Sequence, residues 1–189
     1  MTAQEFDVIV VGSGAAGMVA ALTAAHQGLS AVVVEKAPHF GGSTARSGGG
    51  VWIPNNEILK RDGVTDTKDA ARTYLHSIIG DVVEPERIDT YLERGPEMLS
   101  FVLRNSPLKM CWVPGYSDYY PEAPGGRPAG RSIEPKPFNA RKLGPDEAGL
   151  EPAYGKVPLN VVVMQQDYVR LNQLKRHPRG VLRSLKVGA

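Results

Sequence analysis

Gly12, Gly14 and Gly17 stand as G-x-G-x-x-G directly behind the apolar run FDVIVV, Phe6 to Val11. Each glycine has its own task in holding a dinucleotide: the first permits a tight turn, the second lets a pyrophosphate reach the backbone, and the third lets a helix lie close to a strand. A helix that starts at Ala15 aims unpaired N–H groups and a positive dipole end at the phosphates. Ser13, Ala15 and Ala16 therefore join the glycines in one phosphate cradle. Glu35 ends the next apolar run, SAVVV from Ser30, where an acid accepts the ribose hydroxyls, and Lys36 follows it.

A second set of residues needs the same kind of visitor. The stretch GGSTARSGGG, Gly41 to Gly50, is half glycine, and glycine marks either φ > 0 or a close approach that a Cβ would obstruct. A flexible Gly/Ser linker is the other reading. A third set is aromatic: Tyr116, Tyr119, Tyr120, Phe138 and Tyr154 lie in a segment, Pro114 to Pro158, that holds nine of the fifteen prolines. His26, His39, His76 and His177 are scattered with no i, i+4 pair, so no metal site is expected. The single cysteine, Cys111 in LKMCWV, excludes an internal disulfide and reads as a small buried hydrophobe.

The elements that must position these residues follow from periodicity. FDVIVV and SAVVV are β-rich runs of the kind buried on both faces of a sheet, and the alanine-rich segment Ala15–Gly28 between them reads as a helix with a glycine stop. Together they make a right-handed βαβ unit with parallel strands. From Asn55 to Arg104 apolar residues recur at three and four, in TKDAARTYLHSIIG and PERIDTYLERGPEMLSFVLRN, with Pro96 expected to open a helix. LKMCWV reads as a strand, as does NVVVM from Asn160. No regular element fits Pro114 to Pro158, and its aromatic content favours an ordered excursion over disorder.

Composition narrows the function. A chain of 189 residues, 42% hydrophobic and 22% charged, is globular. The net charge of +2 hides an asymmetry: up to Val169 there are 16 Lys and Arg against 20 Asp and Glu, and from Arg170 six basic residues and no acid. That tail lacks interleaved aromatics and is broken by Pro178 and Gly180, so it reads as a charged helix face, and no nucleic-acid partner is expected. The first twelve residues lack a basic n-region and no apolar run approaches the ~20 residues of a span. A cytoplasmic protein that is not an integral membrane protein is expected.

Glu35-Lys36 followed by Gly41-Gly42 resembles the flavoproteins with two dinucleotide-binding domains, and GGSTARSGGG is similar to the FAD loop of the fumarate reductase and 3-ketosteroid dehydrogenase group. The resemblance implies FAD as cofactor, with Gly41, Gly42, Ser43 and Thr44 along the pyrophosphate and ribitol and Ser47, Gly48, Gly49 and Gly50 against the isoalloxazine ring. Quinone-linked members carry a histidine bonded covalently to the flavin where this chain has Ser43, which implies non-covalent FAD.

The stretches FGGSTARSGGGVWIPNN and YSDYYPEAPGGRPAGRSIEPKPF resemble bacterial 3-ketosteroid Δ1-dehydrogenases, and the likeness runs over essentially the whole chain. It implies the α/β class: an incomplete Rossmann-like FAD-binding domain, a parallel sheet with a βαβ unit and a long Pro/Gly-rich loop. Residues 1–54 would be the βαβ core and FAD loop, 55–113 a helical segment, 114–160 an aromatic loop near the substrate and 161–189 a truncated tail, with the substrate domain absent. The family removes the C2 proton of a 3-ketosteroid A ring with a base and passes the C1 hydride to FAD, electrons then leaving to a quinone or an artificial dye. Tyr119 matches the family tyrosine that hydrogen-bonds the base, with Tyr120 as the alternative register. The base and the groups that hold the 3-keto oxygen are expected beyond Ala189, so the 189 residues alone should be inactive. A fumarate-reductase-like enzyme of small dicarboxylates and a non-catalytic FAD-binding fragment are the alternatives.

Overall fold

The computed structural model describes residues 4–154 together with Met164, Gln165 and Asp167. The chain divides into two compact units, Met1–Gly49 with Phe138–Lys156, and Gly50–Pro137 with Val157–Ala189.

In the first unit, β1 (Val8–Val11) and β2 (Ala31–Val34) pair in parallel, from Val8 opposite Ala31 to Val11 opposite Val34. The helix α1 (Ala15–His26) connects them. The start of the pair is tied by Asp7, whose Oδ2 accepts from the Ser30 amide at 2.8 Å and the Ser30 hydroxyl at 2.6 Å. The expected βαβ order is present, but not burial on both faces. Val10 is buried, whereas Ile9 is 67% and Val11 85% exposed, because among the described residues the sheet has two strands and α1 covers one face only. A short helix, α2 (Gly42–Arg46), sits within the glycine-rich stretch. Phe40 makes a parallel bridge with Leu150: its amide donates to Gly149 at 2.8 Å and its carbonyl accepts from Glu151 at 2.8 Å.

The second unit is a three-stranded antiparallel sheet with helices. Its strands are β3 (Val51–Trp52), β4 (Met110–Trp112) and β5 (Ser132–Pro135), in the order β3-β5-β4. The helices are α3 (Glu57–Arg61), α4 (Lys68–Ile79) and α5 (Pro85–Asn105). The buried Asn56 caps α3, accepting from the amides of Ile58 at 2.8 Å and Leu59 at 3.0 Å, and Thr67 caps α4 through Ala70 at 3.1 Å. Ile53, Ile58, Leu59, Leu99, Met110 and Ile133 form the main core, and Ala71, Ile88 and Leu92 a second cluster.

Three sequence expectations change here. Pro85, not Pro96, occupies the first turn of α5, and Pro96 lies inside the helix. The interior proline forfeits one backbone hydrogen bond. The apolar stripe Ile88, Leu92 and Leu99 nevertheless stays buried on either side of it, and Gly95 before it packs against Ile53. The Pro-rich segment also contains a regular element: β5 is the central strand, with Ile133 fully buried. Its proline, Pro135, stands at the strand end, where a missing donor is tolerated. Cys111 is half-buried rather than buried; its thiol approaches the Glu134 carbonyl at 3.7 Å, and burial pushes its pKa up. NVVVM, apart from Met164, and the basic tail lie outside the described residues. Among the described residues no helix is long and apolar enough to cross a membrane, and no group of three or more metal-ligating side chains occurs.

Candidate functional site

The glycine turn of the first unit is built as its sequence requires. Gly12 has φ +93°, a conformation costly for any residue with a Cβ. A Cβ on Gly17 would lie 1.9 Å from the Gly12 carbonyl oxygen, so the helix can approach the turn only with glycine there. The N-cap of α1 is Gly14, which has no side chain of its own to cap the helix, and no acid stands in the first turn. The helix N-terminus therefore keeps its positive end for an anion.

The second glycine stretch folds against this turn. Gly42 adopts φ +54°, and a Cβ on it would stand 3.7 Å from Gly14 Cα. Thr44 Oγ1 accepts from the Ala15 amide at 3.1 Å. The buried Ser13 joins the pieces: its hydroxyl donates to Glu35 Oε2 and accepts from the Gly41 amide at 2.8 Å, while its own amide donates to Glu35 Oε2 at 2.9 Å. Glu35 Oε1 accepts from the Ala37 amide at 2.9 Å. The Ala37 amide, then the Ser13 hydroxyl and amide, hold the Glu35 carboxyl down to about 2. The Ser13 and Ala37 groups thus satisfy most of the carboxylate inside the protein.

Gly12, Ser13, Gly14, Ala15, Glu35, Gly41, Gly42 and Thr44 are thus one cluster, with Gly17 beneath it. Ala16 and Ser43 are exposed in the first turns of α1 and α2, and Lys36 is exposed after Glu35. Ser47 closes α2: its hydroxyl donates to the Thr44 carbonyl at 3.0 Å and accepts from the Gly49 amide at 3.0 Å. Gly49 has φ +67°, whereas a Cβ on Gly48 would meet nothing within 4 Å. Gly50 belongs to the second unit. Two bare loops, a helix N-terminus with no acid in its first turn and an ionised carboxylate fit the pyrophosphate and ribose of FAD.

Tyr119 lies in the second unit. The residue is 83% exposed and Tyr120 54%. A hydrogen bond with Tyr119 pushes the phenol of Tyr116 up. The Tyr120 amide donates to the hydroxyl of the buried Tyr74 at 3.2 Å. Sequence reasoning missed the polar centre beneath this loop. Arg131 and Asp118 have fully buried side chains joined by a hydrogen bond, and Arg131 Nε reaches Asp66 at 3.1 Å. Trp52 Nε1 donates to Asp118 Oδ1 at 2.8 Å. Partners 66 and 65 residues apart in sequence, Trp52 with Asp118 and Arg131 with Asp66, leave no spacing signal.

The chain is 87% identical over all 189 residues to a Mycobacterium tuberculosis protein named 3-oxosteroid 1-dehydrogenase, and spans 34% of it. It is 85% identical over 188 residues to the Mycolicibacterium smegmatis protein of that name, covering 100% of this chain and 33% of the relative. The crystal structure of 3-ketosteroid delta1-dehydrogenase from Sterolibacterium denitrificans, in complex with 1,4-androstadiene-3,17-dione, matches with a TM-score of 0.86 and 38% identity over 96% of this chain and 32% of that one. The chain therefore spans about a third of the relatives it matches. The family described as FAD binding domain matches residues 7–185, and the chain belongs to that family.

Proposed function

We propose that this chain is the N-terminal FAD-binding part of a flavoenzyme that introduces the C1–C2 double bond into the A ring of 3-ketosteroids. The observation that carries the reading is the 87% identity over the whole chain to a protein named 3-oxosteroid 1-dehydrogenase. The βαβ unit with its glycine turn is read as a Rossmann-type dinucleotide fold. The FAD is non-covalent, held by Gly12, Ser13, Gly14, Ala15, Ala16 and Gly17 at the pyrophosphate, by Glu35 beside Lys36 at the ribose, by Gly41 to Thr44 along the phosphates and ribitol, and by Ser47 to Gly50 at the ring.

Bound FAD supplies an acceptor for the hydride that leaves C1. The chain's own residues prepare that transfer. The amides at the start of α1 neutralise phosphate charge, and Glu35, ionised at neutral pH, accepts a ribose hydroxyl. Tyr119 is the catalytic residue within this chain. A phenol has an ordinary pKa of about 10, so a tyrosine base needs help to take the C2 proton, and a hydrogen bond from the Tyr119 hydroxyl stabilises the phenolate form. The proton then passes to the base, the hydride leaves C1, and the double bond forms. The base and the donors to the 3-keto oxygen lie in the remainder of the enzyme, as does the path of electrons to a quinone or dye acceptor. The enzyme works in the cytoplasm.

The test uses the full-length protein. Tyr119→Phe should lower kcat for a 3-ketosteroid by about 10²-fold or more, the scale of proton-transfer assistance, with the flavin spectrum intact. Tyr120→Phe should do less. A larger loss from Tyr120→Phe would move the role one residue along the chain.

A further inference from the structure

We propose that Tyr74, Asp118 and Arg131 form a buried positioning frame that sets the direction of the Tyr119 side chain. This rests on the reading of Tyr119 above. Tyr119 is exposed, yet both of its neighbours in sequence are fixed from beneath. On one side, the fully buried Asp118 carboxylate accepts from Trp52 Nε1 at 2.8 Å, from the Arg127 amide at 3.0 Å and from Arg131, while the Asp118 amide donates to the Arg127 carbonyl at 3.1 Å. On the other side, the Tyr120 amide donates to Tyr74 Oη at 3.2 Å.

Arg131 locks this arrangement. Its guanidinium uses its donors in three directions: Nε to both oxygens of Asp66 at 3.1 Å, Nη1 to Asp118, and Nη2 to the Gly125 carbonyl at 2.9 Å. The same group lies 5.7 Å from the ring centre of Trp52 and 5.6 Å from that of Tyr74. The loop backbone follows closely: a Cβ on Gly125 would stand 2.3 Å from the Ala70 carbonyl oxygen, and one on Gly130 1.6 Å from that of Tyr116. With the backbone held on both sides of residue 119, the Tyr119 Cα–Cβ direction is fixed. Apolar residues can fill such a volume with equal or greater stability than a buried ion pair, so stability alone does not account for this centre. A geometry needed for proton transfer does, because small misplacements cost large factors in rate.

Tyr74→Phe deletes only the oxygen that holds Tyr120 and keeps the ring beside Arg131. In the full-length holoenzyme it should lower kcat by about tenfold, with steroid KM unchanged within about twofold and the flavin spectrum unaltered. Combined with Tyr119→Phe it should cost nothing further, since the frame acts through that hydroxyl. Asp118→Asn should behave in the same way, and if it fails to fold Tyr74→Phe decides. An equal fold loss in both backgrounds, or no loss in either, would overturn the frame. If Tyr119→Phe itself leaves turnover intact, the reading of Tyr119 fails separately, and amide exchange then decides the frame. Exchange at Tyr120 should be about tenfold faster in Tyr74→Phe, and unchanged exchange would overturn it.

Discussion

Glu35 ties the glycine turn to the strand end through Ser13 and Ala37, and the proposed function gives it a ribose hydroxyl to bind. Its pKa, lowered from 4.5 to about 2, makes its hydrogen bonds a source of stability that is present above about pH 4.5 and lost as pH falls toward about 2. Glu35→Gln should therefore show a smaller change in urea midpoint than the wild type across that window, and a midpoint that falls as steeply as the wild type's would assign the acid sensitivity elsewhere. Glu35→Ala should weaken FAD binding, measured by flavin fluorescence titration, and unchanged affinity would remove Glu35 from the ribose.

The glycines separate by element. Gly17 is required by the protein itself, because α1 crosses the turn where a Cβ would meet the Gly12 carbonyl at 1.9 Å. Gly48 has open space around its Cβ position. Gly17→Ala should destabilise the apoprotein by about 1–3 kcal/mol or more through overpacking, whereas Gly48→Ala should leave apoprotein stability unchanged and weaken flavin binding. Equal stabilities for the two variants, by urea unfolding, would remove this distinction. Much of the first unit was legible because an apolar run, three glycines at fixed spacing and an acid ending the next run follow one another in order within one βαβ unit, Phe6 to Glu35. The second unit was less so. β5 hides among prolines because its burial comes from partners on β3 and β4, residues distant in sequence. Pro96 misleads for the same reason, since the apolar stripe of α5 gains enough from packing to carry an interior proline. The Arg131 centre leaves no periodicity at all.

At the scale of the molecule, the chain spans about a third of the relatives it matches, so the proposed steroid chemistry is tested on the full-length protein. Exposed apolar residues on the parallel pair, Ile9 and Val11, present a face fit for further packing. Ser43 offers no imidazole for a bond to the flavin. Acid precipitation of the full-length holoprotein should therefore release yellow flavin into the supernatant, and colour retained in the denatured pellet would mean a covalent link.

The full-length, FAD-loaded protein should be incubated with a 3-ketosteroid saturated at C1 and C2 and an artificial electron acceptor, and the steroid followed by mass spectrometry with deuterium placed at those carbons. The expected result is a steroid that has lost one hydrogen from C1 and one from C2, with turnover falling sharply in Tyr119→Phe. A steroid returned unchanged, while the same protein turns over a small dicarboxylate, would contradict the assignment.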